Sequence, residues 1–385
     1  MTEYHLLVQK FLFPDAGRQP VVLSYGMGVD STALLLRWLK EPGSRGFEVE
    51  DLVALTAQTG DEFASTRDLV ERHVLPLMRE FRVRYVQVAR AGESQSDGVT
   101  VLDDSRSPRK VFIEGDYTLS LELRRNGTVP QVASKQRRCT HKSKGFPLTA
   151  WTDREFGDRT VQKVIGYNAD EVFRARRSEG YATDERPIDY PLVEWGWGRE
   201  RCEAYVRQIT GVTWLKSLCT MCPFAGGKPE ILERYRTSPA EAADALFLEH
   251  VSLAMNPRAP LYGKKSLRSV LEKDGNREAL RLLEERLNAV AWAVYRVRRI
   301  VWARGRADRR TEKLFEGDRP GVEAEARKRG LVPDGNHLRL QARERGEGYP
   351  TLEEMLVAAP GVVEEKCRPS FESNWSRLLP GGRLL

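Results

Sequence analysis

The sequence predicts an α/β fold, with a parallel sheet carrying helices on both faces, followed by a helical and basic C-terminal region. Three observations lead to this prediction. Short apolar runs alternate with helical patterns in the first half of the chain, and a glycine-rich turn joins the first run to the first helix. From about residue 250 the pattern becomes helical.

Four strands and two helices make up the predicted sheet region. The strands are "PVVLSYG", "VEDLVALTAQTGDE", "VRYVQVAR" and "VQKVIGYNADE", each an apolar run with a polar or glycine-containing end. The helix "DSTALLLRWLKEP" follows the first strand and should end near Pro42 and Gly43. The helix "FASTRDLVERHVLPLMREF" follows the second strand. In a parallel sheet, ligands bind outside the carboxyl ends of the strands, so we expect the functional residues there.

The region after residue 250 is predicted to be helical and strongly basic. In "REALRLLEERLNAVAWAVYRVRRIVWARGRADRRTEKLF", the aromatic residues Trp292, Tyr295 and Trp302 are interleaved with arginines from Arg296 onward. This mixture suits nucleic acid, and it suits equally a helix whose aromatic face is packed and whose arginine face is solvated. A further short helix is predicted at "TLEEMLVAA". The predicted domain ranges are 1–250, 251–316 and 317–385.

Composition indicates a protein of the soluble globular class with a basic surface. The chain of 385 residues is 41% hydrophobic and 30% charged, with a net charge of +7 and an isoelectric point near 9.1. A polyanionic partner is compatible with this charge. No apolar run approaches the ~20 residues of a membrane helix, and the amino terminus does not resemble a signal peptide. Five cysteines do not make a disulfide scaffold, so we expect a cytoplasmic protein with metal or redox chemistry.

The stretch "SYGMGVDST" has the form of a phosphate-binding turn. It lacks the lysine of a P-loop, and Ser31 occupies the third glycine position of a dinucleotide-binding turn. Asp30 would repel a bare pyrophosphate but is suited to one that carries Mg²⁺. Two alternatives stay open: a dinucleotide-binding turn with Glu50 or Asp51 as its acidic residue, and a ligand-free turn in which Asp30 caps the helix.

The same stretch resembles the pyrophosphate loop of the N-type ATP pyrophosphatase (PP-loop) superfamily, written S-G-G-x-D-S. Gly26 and Met27 stand where serine and glycine are usual, and Ser24 lies two residues upstream. The resemblance implies an adenine-nucleotide alpha-hydrolase-like fold that binds Mg²⁺ and ATP. The residues that it implies for the pyrophosphate side are Ser24, Gly26, Gly28, Asp30, Ser31 and Thr32, with Asp30 and Ser31 also catalytic.

Other segments resemble the phosphoadenosine phosphosulfate reductase-like branch of that superfamily. They are "AQTGDEFAST", "RRCTHKSKGFPL", "IGYNADEVFRARRSEG", "YPLVEWGWGRERC" and "KSLCTMCPF", in the family's order between about residues 20 and 262. The resemblance places Thr59, Gly60 and Glu62 on the adenosine side of the nucleotide. The carboxy-terminal cysteine segment with which the reductases act is missing, since the last cysteine, Cys367, lies in "EEKCRPSF". Sulfonucleotide reduction is therefore not expected.

The resemblance also implies a shared cysteine site. Cys219 and Cys222 form C-x-x-C, and Cys139 and Cys202 lie upstream in segments that recur together in the family. Four such cysteines suit either a [4Fe–4S] cluster, which we favour from the relatives, or Zn²⁺. Cys202 could instead be a buried apolar residue, which would leave three cysteines and one iron with an open position.

Charged residues near these segments complete the predicted site. Lys142 lies in a basic stretch beside Cys139 that could contact phosphates, or could be a solvated loop. Asp170 and Glu171 follow the fourth strand and are predicted as catalytic, with Arg174 contacting the nucleotide. As a helix-start charge pattern, these three residues would need no function.

The function expected from the resemblance is adenylation, with ATP converted to AMP and pyrophosphate, followed by sulfur transfer to a nucleic acid such as tRNA or DNA. A sulfur-donor protein such as a cysteine desulfurase would then be a partner. The first alternative is adenylation or amidation of a small molecule with a structural Zn²⁺. The second is a non-catalytic nucleotide-binding subunit of a nucleic-acid-modifying or defence assembly, which the altered loop would favour.

Overall fold

The structure is a computed structural model that describes residues 18–130, 132–133, 136–224, 228–345, 348–379 and 384–385. The chain forms two compact units. Unit 1 comprises residues 1–119 and 139–219, and unit 2 comprises residues 120–138 and 220–385, each described over the ranges given above. The chain is an α/β protein with a six-stranded, mostly parallel mixed sheet and a separate five-stranded antiparallel sheet.

In the chain up to residue 219, strands alternate with helices over most of the sequence. They are β1 (Val21–Ser24), α1 (Val29–Lys40), β2 (Leu52–Gln58), α2 (Ala64–His73), α3 (Leu75–Glu80), β3 (Arg84–Arg90), β4 (Val99–Ser105), α4 (Leu119–Arg125), α5 (Phe146–Phe156), β5 (Gln162–Ile165), α6 (Val172–Glu179), β6 (Ile188–Asp189), α7 (Pro191–Glu194) and α8 (Arg199–Thr210). Single helical turns lie at Pro42–Ser44, Val49–Asp51, Gln95–Asp97, Arg138–Thr140, His141–Gly145 and Ala169–Glu171.

The six-stranded sheet has the order β4-β3-β2-β1-β5-β6. All neighbouring pairs are parallel except β3 with β4, an antiparallel edge strand that we did not predict from the sequence. The chain moves from β1 to β2 and β3 on one side, and later returns to place β5 on the other side of β1. The carboxyl ends of β1 and β5 therefore form a topological switch point, where open α/β sheets bind their ligands.

Both faces of this sheet are covered by helices, as predicted. Leu23 belongs to a buried cluster that contains residues of α1 and α8, whereas its neighbour Val22 packs with Trp151 and Phe156 of α5. Successive residues of a strand point to opposite faces, so the two clusters lie on the two sides of the sheet. The predicted second helix is divided into α2 and α3 at Val74, because the proline that follows cannot donate a helical hydrogen bond.

The elements from residue 220 onward begin with helices and continue with strands. They are α9 (Pro229–Thr237), α10 (Pro239–Met255), α11 (Leu267–Asp274), α12 (Arg277–Ala289), β7 (Trp292–Val301), β8 (Ala307–Gly317), α13 (Arg319–Lys328), β9 (Val332–Asp334), β10 (His337–Arg345), β11 (Thr351–Pro360) and α14 (Phe371–Leu378). The remaining short elements of unit 2 are a turn at Ala303–Gly305 and a pair formed by Val132–Ala133 with Gln136–Arg137. The five-stranded sheet has the order β8-β7-β11-β10-β9, and all neighbours are antiparallel.

The prediction of a helical C-terminal region is wrong from residue 292 onward. The predicted helix is correct over α12, but "WAVYRVRRIV" forms β7, and "TLEEMLVAA" lies in β11. Valine, isoleucine and aromatic residues recur in β7, and these residue types favour a pleated surface. In the sequence, apolar residues continue past the end of α12 at Ala289, but from Trp292 onward they lie in a strand, whose period is two residues.

Arg296 and Arg298, which the prediction assigned to a basic helical face, lie instead in β7 and are paired with carboxylates. Arg296 donates to Glu354 at 2.6 Å, and Arg298 donates to Glu372 at 2.6 Å. Arg298 also lies against the rings of Phe371 and Trp375, which pack in the core of unit 2. These buried arginines stabilise the sheet and cannot form the nucleic-acid-binding helical face that the sequence pattern suggested.

Candidate nucleotide site of unit 1

The loop between β1 and α1 is held from one side by residues 214–217. The Trp214 indole N–H donates to the carbonyl of Met27 at 3.0 Å, and the Ser217 hydroxyl donates to the carbonyl of Gly26 at 3.1 Å. In a planar trans peptide the N–H points opposite to the carbonyl, so the N–H groups of Met27 and Gly28 point away from this segment. Gly28 caps α1 without a side-chain hydrogen bond.

This arrangement has the geometry of an anion-binding turn. The first N–H groups of a helix have no hydrogen-bond partner within the helix, and they lie at the positive end of the helix dipole. Gly26 is exposed, and a side chain there would enter open space. At Gly28 an added Cβ would lie 2.9 Å from the Ser217 hydroxyl oxygen, so the close approach of the two segments favours glycine.

Met27 adopts a left-handed backbone conformation, with φ at +57°. Left-handed backbone costs a residue with a side chain about 1–2 kcal/mol relative to glycine. The Met27 side chain is 2% exposed and belongs to the core cluster of α1, so its burial offsets that cost. The loop therefore has the conformation that glycine favours at a position where the resembling family has glycine.

Asp30 lies in the first turn of α1 and is linked to two other segments. Its Oδ1 accepts from the Asn168 amide at 3.1 Å, and its Oδ2 accepts from the Arg199 guanidinium at 2.8 Å. Burial raises the pKa of Asp30; Arg199 and Asn168 act in the opposite direction without cancelling that shift. Asp30 follows β1, whereas Asn168 follows β5 and Arg199 begins α8. The Asp30 carboxylate therefore links the segments after β1 and β5, the two strands of the topological switch point.

Asp170 has a structural partner in the same network. Its Oδ2 accepts from the backbone N–H of Arg199 at 2.7 Å, which caps the start of α8. An added Cβ at Gly198 would lie 2.9 Å from both oxygens of this carboxylate, so glycine allows the contact. Asp170 therefore holds the start of α8, and with it Arg199, and this contact was not among the predicted roles.

Glu171 and Arg174 form a pair beside this network. The Arg174 guanidinium donates to Glu171 and lies 4.4 Å above the Tyr167 ring. Both side chains are partly exposed, so a ligand could replace either one as the partner of the other. Lys142, the predicted phosphate-binding lysine, is half-buried in the His141–Gly145 turn.

The predicted hydroxyl groups of the loop differ in access. Thr32 is fully buried, and its hydroxyl pairs with that of Tyr25 at 3.2 Å. Ser31 donates to the carbonyl of Gly28 at 3.1 Å and is 7% exposed. Ser24, at the end of β1, is half-buried. Thr32 therefore belongs to the packing beneath the loop, and Ser31 and Ser24 lie nearer its surface.

The residues predicted for the adenosine side lie together after β2. Thr59 Oγ1 lies 3.2 Å from Cys219 Sγ, and Lys144 donates to Glu62 Oε1 at 2.9 Å. The other oxygen of Glu62, Oε2, is buried and has no hydrogen-bond partner among the described residues. A buried carboxylate oxygen without a donor is costly, so Glu62 Oε2 is an acceptor whose donor the described residues do not supply.

Gly60 provides a sharp test of this turn. Its φ is +87°, and an added Cβ would lie 2.3 Å from Thr118 Cγ2. We expect Gly60→Ala to lower the free energy of unfolding by about 2–4 kcal/mol, from left-handed strain and overpacking together. Gly157 is a matched control, because its φ is +54° and nothing lies within 4 Å of its added Cβ. Urea unfolding of both variants checks this, and equal losses would contradict it.

The cysteines are placed in different surroundings. Cys202 is fully buried in α8, where burial and then the Asp30 carboxylate raise its pKa to about 12. Cys219 lies beside Thr59 and Glu62; burial and then Glu62 raise its pKa well above the ordinary value. Cys139 is half-buried in the Arg138–Thr140 turn.

Cys222, the fourth predicted metal ligand, belongs to unit 2. In unit 2, Cys222 lies near Tyr235 and Tyr262. Over the described ranges, no three side chains of His, Cys, Asp or Glu are grouped so that they could hold a metal. The surroundings of Cys202 match the predicted alternative of a small buried residue.

Metal analysis distinguishes the two roles of Cys202. We expect Cys202→Ala to contain the same iron and zinc per chain as the unmodified protein after anaerobic purification, because Cys202 is fully buried in α8 beside Asp30. Cys367→Ala, which changes an exposed cysteine outside the predicted set, is the control. A loss of metal in Cys202→Ala alone would show that Cys202 is a ligand.

The sequence did not identify every residue of this site. Asn168 and Arg199, which hold Asp30, and Trp214 and Ser217, which hold the loop, were not predicted. Asn168 directly follows a strand, which is a usable signal in a parallel sheet. Ser217 and Trp214 have no local signal, because only the folded chain brings them to the loop.

Comparison with known proteins adds no family assignment. No protein-family model matches the chain, and no curated protein matches it. Within the part of the chain that the structure describes, no helix has the length and apolar character needed to span a membrane.

Proposed function

We propose that unit 1 binds Mg·ATP at the carboxyl edge of its parallel sheet and uses it to adenylate an acceptor, releasing pyrophosphate. The observation that carries this proposal is the position of Asp30. It lies at the start of α1, at the switch point between β1 and β5, and contacts Asn168 and Arg199. A carboxylate beside a turn that favours anions is best explained when a divalent cation comes with the anion.

The loop and α1 would hold the leaving pyrophosphate. The N–H groups of Met27 and Gly28 point away from the segment that binds their neighbouring carbonyls, and the helix dipole adds positive potential. Arg199 lies 2.8 Å from Asp30 and is about one-third exposed, so it can turn toward phosphate when Mg·ATP takes up the carboxylate. Such preorganised donors are worth about 10²–10³-fold in rate each.

The turn after β2 would hold the adenosine. Thr59 and Glu62 are buried there, and Glu62 Oε2 has no donor among the described residues. A ribose hydroxyl could supply that donor, in keeping with the role that the resemblance implies for Thr59, Gly60 and Glu62. The reacting phosphorus would then lie between this turn and the loop after β1.

The proposal covers the adenylation step and leaves the acceptor to experiment. An oxygen of the acceptor attacks the α-phosphorus, the bond to the bridging oxygen breaks, and pyrophosphate leaves with that electron pair. No sulfur-transfer step is included, because the contacts that carry the proposal concern the nucleotide alone. tRNA and DNA stay proposed acceptors beside small molecules, and a sulfur-donor protein stays a proposed partner only if thiolation is found.

Calorimetric titration tests the nucleotide site directly. We expect ATP and its α,β-methylene analogue to bind one site per chain with Mg²⁺, and at least tenfold more weakly with EDTA. Equal affinity for ATP and for AMP would contradict a pyrophosphate-binding loop. Equal affinity with and without Mg²⁺ would contradict the role of Asp30.

A further inference from the structure

A row of arginines crosses the antiparallel sheet of unit 2. Arg309 of β8 lies directly opposite Arg299 of β7, Arg299 lies opposite Glu353 of β11, and Glu353 lies opposite Arg343 of β10. Directly opposite residues point to the same face of a sheet, about 5 Å apart. One face of the sheet thus presents three arginines and one glutamate in a line across four strands.

Glu353 is the carboxylate of this row and is shared by several cations. It accepts two hydrogen bonds from Arg258, at 2.7 and 2.9 Å, and lies 3.3 Å from Arg343 and 3.8 Å from Arg299. No carboxylate pairs with Arg309 among the described residues. The cluster of Arg258, Arg299, Arg309 and Arg343 with Glu353, which we call the arginine row, has four positive charges and one negative, a net charge of +3.

The opposite face of the same sheet has balanced charges. Its ion-paired network contains three arginines and three glutamates, which are Arg296, Arg298, Arg310, Glu312, Glu354 and Glu372. Both faces belong to one sheet in one chain, so the general basicity of the protein does not account for the difference. The excess charge is specific to the arginine row.

Backbone carbonyls compensate part of the excess. Arg299 donates to the carbonyl of Met255 at 3.0 Å, at the negative end of α10, and Arg309 donates to the carbonyl of Asn126. These dipoles carry only partial charges. Burial, and then the charge of Arg309, lower the pKa of Arg299 to about 10. Like charges placed directly opposite each other destabilise a sheet. The arginine row therefore keeps an excess of positive charge that these carbonyls do not neutralise.

We infer that the arginine row binds an oxyanion of the phosphate class. Guanidinium groups match phosphate oxygens in a bidentate geometry, and neighbouring arginines can share one anion. Solvent reaches the row, since the side chain of Arg258 is 53% exposed and that of Arg343 is 33% exposed. The anion is either free phosphate or the phosphodiester of a nucleic acid. This site lies in unit 2 and does not depend on the nucleotide site proposed for unit 1.

Titration of the unmodified chain and three variants tests this inference. Orthophosphate, pyrophosphate and a twelve-residue single-stranded oligonucleotide are each titrated in chloride buffer into the unmodified chain, Arg309→Gln, Arg343→Gln and Arg306→Gln. Arg306 is an exposed arginine that stacks on Trp302 and serves as the control. We expect Arg309→Gln and Arg343→Gln each to weaken anion binding at least tenfold, and Arg306→Gln to leave it unchanged.

The relative affinities identify the source of the anion. An oligonucleotide that binds more tightly than orthophosphate, and loses affinity in both row variants, assigns the row to nucleic acid. Stronger binding of orthophosphate assigns it to free phosphate. Anion binding that is the same in all four proteins would overturn the inference, because it would then arise elsewhere, including the loop after β1. Thermal unfolding without phosphate shows that the variants are folded: Arg309→Gln should melt no lower than the unmodified chain, since it removes a like-charge contact.

Discussion

Asp30→Asn should abolish the dependence of ATP affinity on Mg²⁺ and slow pyrophosphate release by about 10²–10³-fold. The carboxylate contacts Asn168 and Arg199 at the start of α1, where Mg·ATP would present its charge. Asparagine retains the shape and one carbonyl oxygen but loses the negative charge. Calorimetry with and without Mg²⁺, together with a coupled pyrophosphate assay, measures both effects.

Two controls separate this effect from loss of structure. Asp158→Asn changes an exposed aspartate in the turn before β5 and should leave ATP affinity and pyrophosphate release unchanged. Asp30→Glu retains the charge, so part of the Mg²⁺ dependence should return. If Asp30→Asn bound Mg·ATP as tightly as the unmodified chain, Asp30 would have only a structural role, as the partner of Asn168 and Arg199 in a ligand-free turn.

Acidification from pH 7 to pH 5 should destabilise unit 2 by about 4 kcal/mol through a buried pair of histidines. The rings of His250 and His337 are 4.3 Å apart, and His337 Nε2 lies 3.0 Å from the carbonyl of His250. Burial, reinforced by neighbouring charge, lowers the pKa of both rings, that of His337 to about 4. In the unfolded chain both titrate near 6.5.

The sign follows from proton uptake. Between about pH 6.5 and 4 the unfolded chain binds protons that the folded pair does not, so stability is present above pH 6.5 and is lost as the pH falls. The charged groups facing the pair are Arg268, Arg319, Arg339 and Asp334. Burial also raises the pKa of Glu249, so the informative quantity is a difference between variants.

His337→Gln supplies that difference. Glutamine can still donate to the His250 carbonyl, but it does not titrate. Amide hydrogen exchange in β7, followed at pH 7 and pH 5, should show a loss of protection that is smaller by about 2 kcal/mol in the variant. His73→Gln, at the end of α2, is the control and should retain the full loss. An identical pH response of unmodified chain and His337→Gln would contradict the assignment.

The parallel sheet could be predicted because its signals are local. Each strand of the predicted set is a short apolar run, and "GMGVD" marks the turn into α1 by its glycines. β4 was missed, since as an edge strand with half-exposed residues it lacks a buried run. The C-terminal strands were missed because the pattern of α12 runs without a proline or glycine into β7.

The candidate site was predictable in part for a similar reason. Asp30, Thr59 and Glu62 follow predicted strands, and the sheet brings them to one edge. Arg199 is distant in sequence and reaches Asp30 only because Asp170 caps α8 beside it. The arginines of β7 could not be separated into a neutral face and a charged face without the strand register, which assigns alternate residues to opposite sides.

The most direct measurement is the ³¹P spectrum of ATP incubated with the purified chain and Mg²⁺, with a nucleic acid and a small-metabolite mixture as acceptors. The account predicts AMP, or an adenylated acceptor, together with pyrophosphate, because in the proposed site Asp30 and the start of α1 would hold the β- and γ-phosphates as the leaving group. ADP with orthophosphate would contradict it, as would ATP resonances that neither shift nor broaden in the presence of the protein.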